Sequence, residues 1–246
     1  MDRLDAAAIV VPGVEVRVVE RCGSTNDLAL RSRAPLLIAA EEQTAGRGRR
    51  GRRWHSALGA SITFSLARRI ARPARELPAL SLVAGVAVAR ALRALGVPVR
   101  LKWPNDLEVE GAKLGGILVE TRGGSHAVIG IGVNCARAGG LQAKVGRSMA
   151  FLRDFTAAAR NQVIQRIAQG LVAALSEFEK QGLEALRSEW QAMHAHAGQR
   201  LRVRLADGRT LSGIATGIGA DGSLQIHTAR GVRAVTSGRV VSARTA

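Results

Sequence analysis

The sequence predicts an α+β protein in two parts, a larger body of strands and helices followed by a small all-β module. Within residues 1–197, strand-like and helix-like runs are segregated and do not follow a regular βαβ series. From about Gly198 onwards, short β runs alternate with turns and the helical periodicity is lost. These two observations predict one domain over 1–197 and a second over 198–246.

Strands are predicted in the first domain wherever apolar residues alternate or form short buried runs. VEVRVVE (14–20) alternates with a period of two, and VRLKW (99–103) is closed by a proline. LEVEGAKLGGILVET indicates two strands around a turn at 110–112. Further strands are predicted at 36–43, 60–66 and 126–134.

Helices are predicted from capping residues and from a period of 3.6 residues. The string CGSTND can cap a short helix that begins near Asp27. A long helix over 76–95 is expected to end at Gly96, where glycine and the proline beyond it favour termination. Residues 156–195 carry helical periodicity in two pieces, with a break near Gly182.

The C-terminal module is predicted to be a small barrel. About five short strands fit between Gly198 and the end of the chain, joined by turns such as Asp207-Gly208 and Asp221-Gly222. By contrast, the stretch 136–149 lacks periodicity and contains several glycines, so it is expected to be a mobile loop.

Composition is that of a globular protein with a sizeable core. Hydrophobic residues make up 47% of the 246 residues. The longest apolar stretch, 77–92, is shorter than the ~20 residues of a membrane span and contains Ser81 and Arg90, so a buried helix is expected. Cys22 and Cys135 lie far apart without a CxxC motif, which favours a reduced compartment, and the N-terminus does not resemble a signal peptide. A cytoplasmic protein is predicted.

The formal net charge is +17, which raises the possibility of a nucleic-acid partner because basic surface releases counterions from phosphates. However, only four of the 36 basic residues are lysines, so the composition can equally reflect coding bias. The chain has no tyrosine and four phenylalanines, which offers few aromatic side chains for stacking bases. No specific DNA partner is expected.

The most unusual string is AGRGRRGRRW (45–54), called here the arginine loop. Its residues 46–51 match GxGxxG, but a dinucleotide site needs a helix next and an acidic residue about 20 positions on. Residues 66–75 contain no acid and the following segment is strand-like, so that interpretation is rejected. A P-loop string GxxxxGK[ST] does not occur either.

Physically, the arginine loop suits an anion. Glycines let backbone N–H groups approach a phosphate, while guanidinium groups bind its oxygens in pairs. ATP, an acyl phosphate or pyrophosphate would fit this chemistry. A basic surface loop without a ligand is the alternative that the string alone leaves open.

Three further strings carry polar residues at strand ends or turns. KWPNDL (102–107) can be part of a cleft or an ordinary turn after proline, and KLGGILVE (113–120) offers either a ligand-facing lysine or a lysine at a hairpin turn. GIGVN (130–134) ends in an asparagine that can bind a polar ligand or cap a turn. Two of the four lysines, Lys102 and Lys113, fall in these strings.

Together with STND (24–27) and EEQTAGRGRRGRRW (41–54), these strings closely resemble the motifs of bacterial biotin–protein ligases, also called biotin–[acetyl-CoA-carboxylase] ligases. The motifs occur in the family order and span most of 20–135. The resemblance implies a mixed sheet flanked by helices, like that of class II aminoacyl-tRNA synthetases, followed by an SH3-like small β-barrel.

The resemblance also implies a reaction. Biotin and ATP form biotinyl-5′-AMP and pyrophosphate, and a lysine of the biotin carboxyl carrier protein of acetyl-CoA carboxylase then takes the biotin. Mg²⁺ is expected to accompany ATP, held by phosphate oxygens and water, and no dedicated protein metal site is expected. No membrane partner is expected, and the protein would be a monomer or a homodimer.

Residue roles follow from the same resemblance. The residues implied to bind biotin are Ser24, Thr25, Asn26, Gln43, Arg47, Gly48, Arg49, Lys113 and Gly115. Those implied to bind the nucleotide are Arg49, Arg52, Lys102, Asn105, Lys113 and Asn134. Those implied to be catalytic are Arg47, Arg49, Lys113 and Asp106, with Asp106 placed near the incoming lysine. Asn134 and 136–149 are assigned to the adenine side, and Trp54 is expected to pack in the core.

Two departures from the family pattern stand out. Only 23 residues precede STND, too few for the winged helix-turn-helix of the repressor members, so a ligase without regulatory DNA binding is expected. Relatives often end in GEVS, whereas this chain has SGRVVS (237–242), with Arg239 where an acid is expected.

Overall fold

The structure is a computed structural model that describes residues 2–33, 35–139, 146 and 148–244. Its helices are α1 (Thr25–Leu30), α2 (Leu80–Arg93), α3 (Arg160–Gln181) and α4 (Glu184–Ala192). Short 3₁₀ turns lie at Arg49–Gly51, Ala74–Ala79 and Leu152–Asp154. No helix within the described ranges is long and apolar enough to cross a membrane.

The larger sheet is mixed and has the strand order β1-β2-β3-β7-β6-β5-β4. Its strands are β1 (Glu15–Cys22), β2 (Leu36–Gln43), β3 (Ser61–Arg69), β4 (Arg100–Lys102), β5 (Asp106–Val109), β6 (Ala112–Arg122) and β7 (His126–Asn134). β1 and β2 are parallel, and the other neighbours are antiparallel. The predicted α+β class and its strands are confirmed.

The core lies between this sheet and the helices α2 and α3. Because α2 is almost entirely apolar, eleven of its residues are buried, and it packs against α3. Each buried Leu or Val contributes about 1.5–3 kcal/mol. The helix predicted over 76–95 begins later than expected, because Pro78 lies in a 3₁₀ turn before α2. The break near Gly182 is confirmed: Gly182 has φ +72°, separating α3 from α4.

The start of the chain is fastened to the body by a buried ion pair. Arg160, at the first position of α3, is 1% exposed and its Nη1 lies 2.7 Å from Glu41 Oε2. The same guanidinium contacts Asp2. Charges buried this deeply are stable only when paired and hydrogen-bonded, so the segment before β1 is held on the outside of α3 and β2.

The tail forms a second, antiparallel sheet with the order β11-β10-β9-β8-β12. Its strands are β8 (Arg200–Leu205), β9 (Thr210–Ile218), β10 (Leu224–Thr228), β11 (Gly231–Val235) and β12 (Gly238–Arg244). The predicted closed barrel is wrong: no ladder joins β11 to β12 in the described part of the tail. Four of the five β11 residues are exposed, so that strand has no second apolar face to pack against, and β12 lies instead beside the arginine loop.

The body and the second sheet are joined by hydrogen bonds from side chains. Trp103 Nε1, just after β4, donates to Gly222 O at 3.1 Å, and Gln191 Nε2 of α4 donates to Ile218 O at 3.2 Å. β4 is also joined to the end of α4, where Leu101 N donates to Met193 O at 2.8 Å. The segment after β4 is therefore packed against the second sheet. The division into domains at 197/198 stays a prediction.

Candidate active site

A cavity of about 440 Å³ opens between α1, β6, β7 and the arginine loop. It brings together most of the polar residues that the sequence motifs singled out. The predicted site residues that line it are Ser24, Thr25, Asn26, Gln43, Arg47, Gly48, Arg49, Arg52, Asn105, Asp106, Lys113 and Asn134.

Two predicted residues lie elsewhere. Lys102 lines a smaller cavity of about 150 Å³ that adjoins the first and shares Arg49 and Asp106 with it. Gly115 lies within β6, directly against β7, where an added Cβ would come 2.5 Å from Gly132 O, and its neighbour Gly116 faces the cavity. Most of the adenine-side loop predicted at 136–149 falls outside the described residues.

One end of the cavity is polar but uncharged. It is formed by Thr25, Asn26 and Gln43, with the buried Ser65 directly behind them, and these four residues are called here the uncharged end. Gln43 Oε1 accepts from Thr25 N at 2.8 Å, and Ser65 Oγ lies 2.7 Å from Thr25 Oγ1 and 2.6 Å from Asn26 Oδ1. These polar groups are held in fixed directions by one another, as buried polar groups must be. A ligand with several N–H and C=O groups would find pre-oriented partners here.

Two glycines of GIGVN bring the floor of the cavity close to its walls. A Cβ at Gly130 would lie 2.3 Å from Asn26 Oδ1, and one at Gly132 would lie 2.5 Å from the Trp54 ring. Only glycine permits this approach. Trp54 therefore lies on the cavity wall and not in the core, and the expectation for this residue is wrong because Gly132 opens a place for its ring beside the ligand space.

The arginine loop is a tight hairpin over the cavity. Gly48 N donates to Arg52 O at 2.7 Å, and Trp54 N donates to Gly46 O at 2.9 Å. Arg50 has φ +57° and ψ +42°, a left-handed backbone conformation that is uncommon for residues other than glycine. Such a conformation is a form of local strain and persists only where its surroundings impose it.

Arg47 is held away from its neighbouring arginines by two carboxylates. Its Nη1 lies 2.7 Å from Asp27 Oδ2 and its Nη2 lies 3.1 Å from Glu120 Oε2. The hydrogen bond that Arg47 donates to Asp27, together with Glu120, raises the pKa of the Arg47 guanidinium. Glu120 also accepts from Asn26 Nδ2 at 2.7 Å, so one carboxylate joins the arginine loop to the uncharged end. This role of Glu120 was not predicted from the sequence, although Glu120 ends the KLGGILVE string.

Arg49 has a different environment. Within the described residues, its side chain makes no hydrogen bond and no ion pair. Burial and the neighbouring Arg50 and Arg52 lower the pKa of Arg49, and Asp106 opposes this only weakly. Because an arginine side chain stays charged in proteins, a half-buried guanidinium in this setting is stabilised by an anion.

Lys113 lies on the opposite wall. Its Nζ is 2.5 Å from Asp106 Oδ1 and 6.0 Å from the centre of the Trp54 ring. Asn134 fixes the backbone beneath it, since Asn134 Nδ2 donates to Lys113 O at 2.9 Å. Lys102 in the smaller cavity is paired with Glu108 at 2.7 Å. Arg49, Arg52 and Lys113 together form what is called here the cationic end.

The arrangement suits a long ligand that is uncharged and hydrogen-bonding at one end and strongly anionic at the other. A ligand of this kind would lie from the uncharged end to the cationic end beneath the arginine loop. Among the described residues, no group of three His, Cys, Asp or Glu side chains is placed to hold a metal ion. Arg239, from the tail, also lines both cavities.

Comparisons with known proteins agree with this arrangement. The family model of the biotin/lipoate A/B protein ligase family matches residues 18–134, and that of the biotin protein ligase C terminal domain matches residues 196–241. The chain is 35% identical over 225 residues to the bifunctional ligase/repressor BirA of Escherichia coli, covering 87% of this chain and 70% of that protein. It is 34% identical over 243 residues to the biotin–[acetyl-CoA-carboxylase] ligase of Mycobacterium tuberculosis, covering 94% and 90%.

Solved structures show the same fold. The biotin protein ligase from Aquifex aeolicus in complex with biotin and ATP superposes with a TM-score of 0.81 at 24% identity, covering 94% of this chain and 99% of that one. The biotin acetyl coenzyme A carboxylase synthetase from Helicobacter pylori, with bound biotinylated ATP, has a TM-score of 0.65 at 26% identity, covering 89% and 98%.

Proposed function

The chain belongs to the biotin/lipoate A/B protein ligase family, and we propose that it is a biotin–protein ligase that activates biotin with ATP and transfers it to a lysine of the biotin carboxyl carrier protein of acetyl-CoA carboxylase. One observation carries the proposal. A single cavity joins a buried, uncharged set of hydrogen-bonding groups to an arginine without a carboxylate partner in the described structure. Biotinyl-5′-AMP has this sequence of chemical groups, from the ureido ring to the phosphate.

Biotin is proposed to bind with its ureido ring at the uncharged end. Ser24, Thr25, Asn26 and Gln43 are close enough to supply both donors and acceptors for the ring. Their hydrogen bonds with one another hold them in place before biotin arrives, which lowers the entropic cost of binding. The biotin carboxylate then points towards Lys113 and the arginine loop.

In the first half-reaction, a carboxylate oxygen of biotin forms a bond to the α-phosphorus of ATP, and the bond from that phosphorus to the pyrophosphate oxygen breaks. Two anions must approach each other, so the protein acts mainly by positioning and by charge. Lys113 is proposed to neutralise the carboxylate and phosphate oxygens, and Arg49 to hold the α-phosphate. Arg52 and Lys102 are proposed to lie along the remaining phosphates.

Mg²⁺ is proposed to arrive with ATP. The nearby carboxylate, Asp106, is engaged with Lys113, and the described residues provide no cluster of ligands that could hold a metal ion by themselves. Phosphate oxygens and water would therefore hold the ion, as is usual for Mg²⁺, and its contribution is to screen phosphate charge.

In the second half-reaction, the amine of the carrier lysine attacks the carbonyl carbon of the mixed anhydride and AMP leaves with the electron pair of the broken bond. Asp106 is proposed to receive the proton from the attacking amine or to orient that amine. Its contact with Lys113, which is proposed to neutralise the biotin carboxylate, supports this role. The arginine loop covers the anhydride and excludes water, which would otherwise hydrolyse it.

The finer description of the molecule is part of the same proposal. The body is proposed to be related to class II aminoacyl-tRNA synthetases and the tail to be an open relative of the SH3-like barrel, with the domains divided at 197/198. The protein is proposed to act in the cytoplasm, without specific DNA binding, as a monomer or a homodimer.

The deciding experiment is incubation with biotin, ATP, Mg²⁺ and a biotin carrier domain. Biotin-dependent exchange of pyrophosphate into ATP reports the first half-reaction, and the mass gain of the carrier reports the second. We expect Lys113→Ala to abolish both, because it removes the ammonium group proposed to neutralise the carboxylate, whereas Lys180→Ala, at the exposed end of α3, leaves both unchanged. Parental exchange in Lys113→Ala would refute the role of Lys113, and absence of exchange in the parent would refute the function.

A further inference from the structure

The second sheet carries a dense positive surface on its outer face. Strand β8 has the sequence RLRVRL, in which Arg200, Arg202 and Arg204 are exposed and the intervening Leu201 and Val203 are buried. Because side chains alternate along a strand, all three arginines point from the same face.

Strand β12 adds two arginines to this face. Arg239 lies directly opposite Arg204, and Arg244 lies directly opposite Arg200. Opposed residues in an antiparallel pair have Cβ atoms about 5 Å apart, and like charges in such pairs are destabilising. The five residues that make up this arginine face are Arg200, Arg202, Arg204, Arg239 and Arg244.

Among the residues that the structure describes, no acid is paired with this face. Within the described residues, none of the five arginines forms an ion pair, and their neighbours across the ladder on β9 are the uncharged Thr210, Ser212 and Ile214. Other arginines of the chain are paired: Arg68 with Glu179, and Arg90 with Glu189. The arginine face is thus an uncompensated concentration of charge, the kind of surface that attracts an anionic partner from solution.

The arginine face begins at the mouth of the active-site cavities. Arg239 lines both cavities, and Arg50 of the arginine loop donates to Ser237 Oγ at 3.3 Å, just before β12. The other four arginines line neither cavity. At about 3.3 Å per residue, the face extends roughly 15 Å from the mouth.

We propose that the arginine face docks an acidic surface of the carrier protein whose lysine accepts biotin; this inference rests on the function proposed above. The second half-reaction requires a protein to approach this mouth, and the face lies beside the path that its lysine must take. A positive surface at this position would steer an acidic carrier to the site and raise the association rate. A nucleic acid fits less well, because residues 198–246 contain no Phe, Trp or Tyr on which bases could stack.

The test uses the full chain with Arg200, Arg202 and Arg204 changed together to Gln, leaving every cavity residue intact. Biotin-dependent pyrophosphate exchange measures adenylate formation, and KM and kcat are measured with the biotin-accepting domain of the acetyl-CoA carboxylase from the same organism, at low and high salt. We expect exchange and kcat to stay within about twofold and KM for the carrier to rise about tenfold at low salt, because a charged docking surface acts mainly on encounter. The salt dependence of kcat/KM should become weaker.

The matched control removes the same charge elsewhere, by changing the exposed Arg33, Arg69 and Arg166 to Gln. Arg69 is at the end of β3 opposite the cavity, since Ser61 at the other end pairs with Asn134.

An unchanged KM for the carrier in the β8 variant, or an equal rise in the control, would overturn the inference. So would a β8 variant that loses affinity for random duplex DNA but keeps its carrier KM. A parent without exchange would refute the proposed function instead. Melting temperatures no lower than that of the parent verify folding, since the variant removes opposed like charges.

Discussion

At one end of the cavity, Thr25, Gln43 and Ser65 satisfy one another's hydrogen bonds, while at the other end the Arg49 guanidinium faces Arg50 and Arg52. The uncharged end is complete in the described structure, and its groups are aimed before a ligand binds. The arginine loop is incomplete, because Arg49 repels its neighbours and Arg50 holds a left-handed backbone conformation.

The two ends therefore contribute to ligand binding in different ways. A pre-organised site gains affinity because little order has to be imposed on binding. A loop of like charges is instead stabilised by the anion that it encloses, and closes most fully when the anion is present. The uncharged end should therefore set affinity for biotin, and the arginine loop should set retention of the activated intermediate.

The largest expected effect comes from disturbing the pre-organised end. In Gly130→Ala the new Cβ would come 2.3 Å from Asn26 Oδ1, so the asparagine must move out of its hydrogen bonds with Ser65 and Glu120. We expect the Kd for biotin to rise about 1,000-fold, because the displaced Asn26 no longer meets the ligand correctly and the cavity floor is overpacked. Isothermal titration with biotin, without ATP, measures this directly.

Gly139→Ala is the matched control, since no atom lies within 4 Å of a Cβ at Gly139 and its φ is not positive. Biotin affinity within about twofold of the parent in Gly130→Ala would contradict a rigid uncharged end.

The next effect should fall on the arginine loop and leave biotin affinity nearly intact. In Arg49→Gly we expect free biotinyl-5′-AMP to escape about 100-fold faster, because one guanidinium that holds the phosphate is gone and the loop no longer closes. Escaped adenylate labels bystander lysines, which can be counted by mass spectrometry after incubation with an unrelated protein.

Arg33→Gly, between α1 and β2, serves as the control for loss of an exposed arginine. If Arg49→Gly weakens biotin binding as strongly as it releases adenylate, the two ends are not separate in function.

Two buried histidines also have ring nitrogens without hydrogen-bond partners in the described structure, but unlike Arg49 they do not indicate a bound ligand. His194 has no hydrogen-bond partner for either ring nitrogen among the described residues, and His196 has none for Nδ1. Burial lowers the pKa of His194 to about 4, assisted by His196 and Arg100. Burial also lowers the pKa of His196 to about 4, assisted by Lys102. Unlike arginine, histidine can give up its proton, so these groups need no anion.

The consequence is a loss of stability in acid. The unfolded chain has ordinary histidine pKa values and binds protons below pH ~6.5 that the folded chain does not bind until pH ~4. The contribution of the two histidines to stability is therefore fully present above pH ~6.5 and is lost as the pH falls to ~4, by roughly 3 kcal/mol for each histidine. Urea unfolding at several pH values measures this loss. In His194→Leu the free energy of unfolding should depend less steeply on pH than in the parent.

His227→Gln, at an exposed position on β10, should leave the pH dependence as in the parent. If the free energy of unfolding of His194→Leu depends on pH as steeply as that of the parent, the acid sensitivity lies in other groups.

The smallest expected effect concerns the link between the two ends. Glu120 contacts both Arg47 and Asn26, whereas Asp27 contacts Arg47. We expect Glu120→Gln to raise KM for biotin about fivefold and Asp27→Asn to raise it less than twofold, because these partly exposed ion pairs are screened by solvent. Steady-state kinetics with biotin varied will show whether kcat is retained. Equal effects of the two changes would exclude a special role for Glu120.

Much of the site could be predicted from short strings because each string is local chemistry. GRGRRG predicts an anion site because it combines glycine backbone with guanidinium groups. KWPND and KLGGILVE carry the lysines and the aspartate that flank this site. Their common cleft was implied by the resemblance of these strings, in this order, to the motifs of the ligase family. The strands and helices were predictable for the same reason, since alternation and capping are properties of neighbouring residues.

Contacts between distant segments were not predictable in this way. The position of Trp54 depends on the missing side chain of Gly132 in another strand, and Glu120 becomes part of the site because β6 brings it beside Asn26 and Arg47. The open tail sheet was missed because closure depends on what β11 and β12 can pack against.

The sequence by itself determined the alternation of arginine with apolar residues in β8, the glycines of the floor and the cations of the arginine loop, because these are local patterns of size and charge. Only the tertiary structure decided which of these charges find partners. Pairing depends on distances of a few ångströms between segments far apart in the chain, and these distances separate Arg47, with its two carboxylates, from Arg49, which lacks such a pair in the described structure.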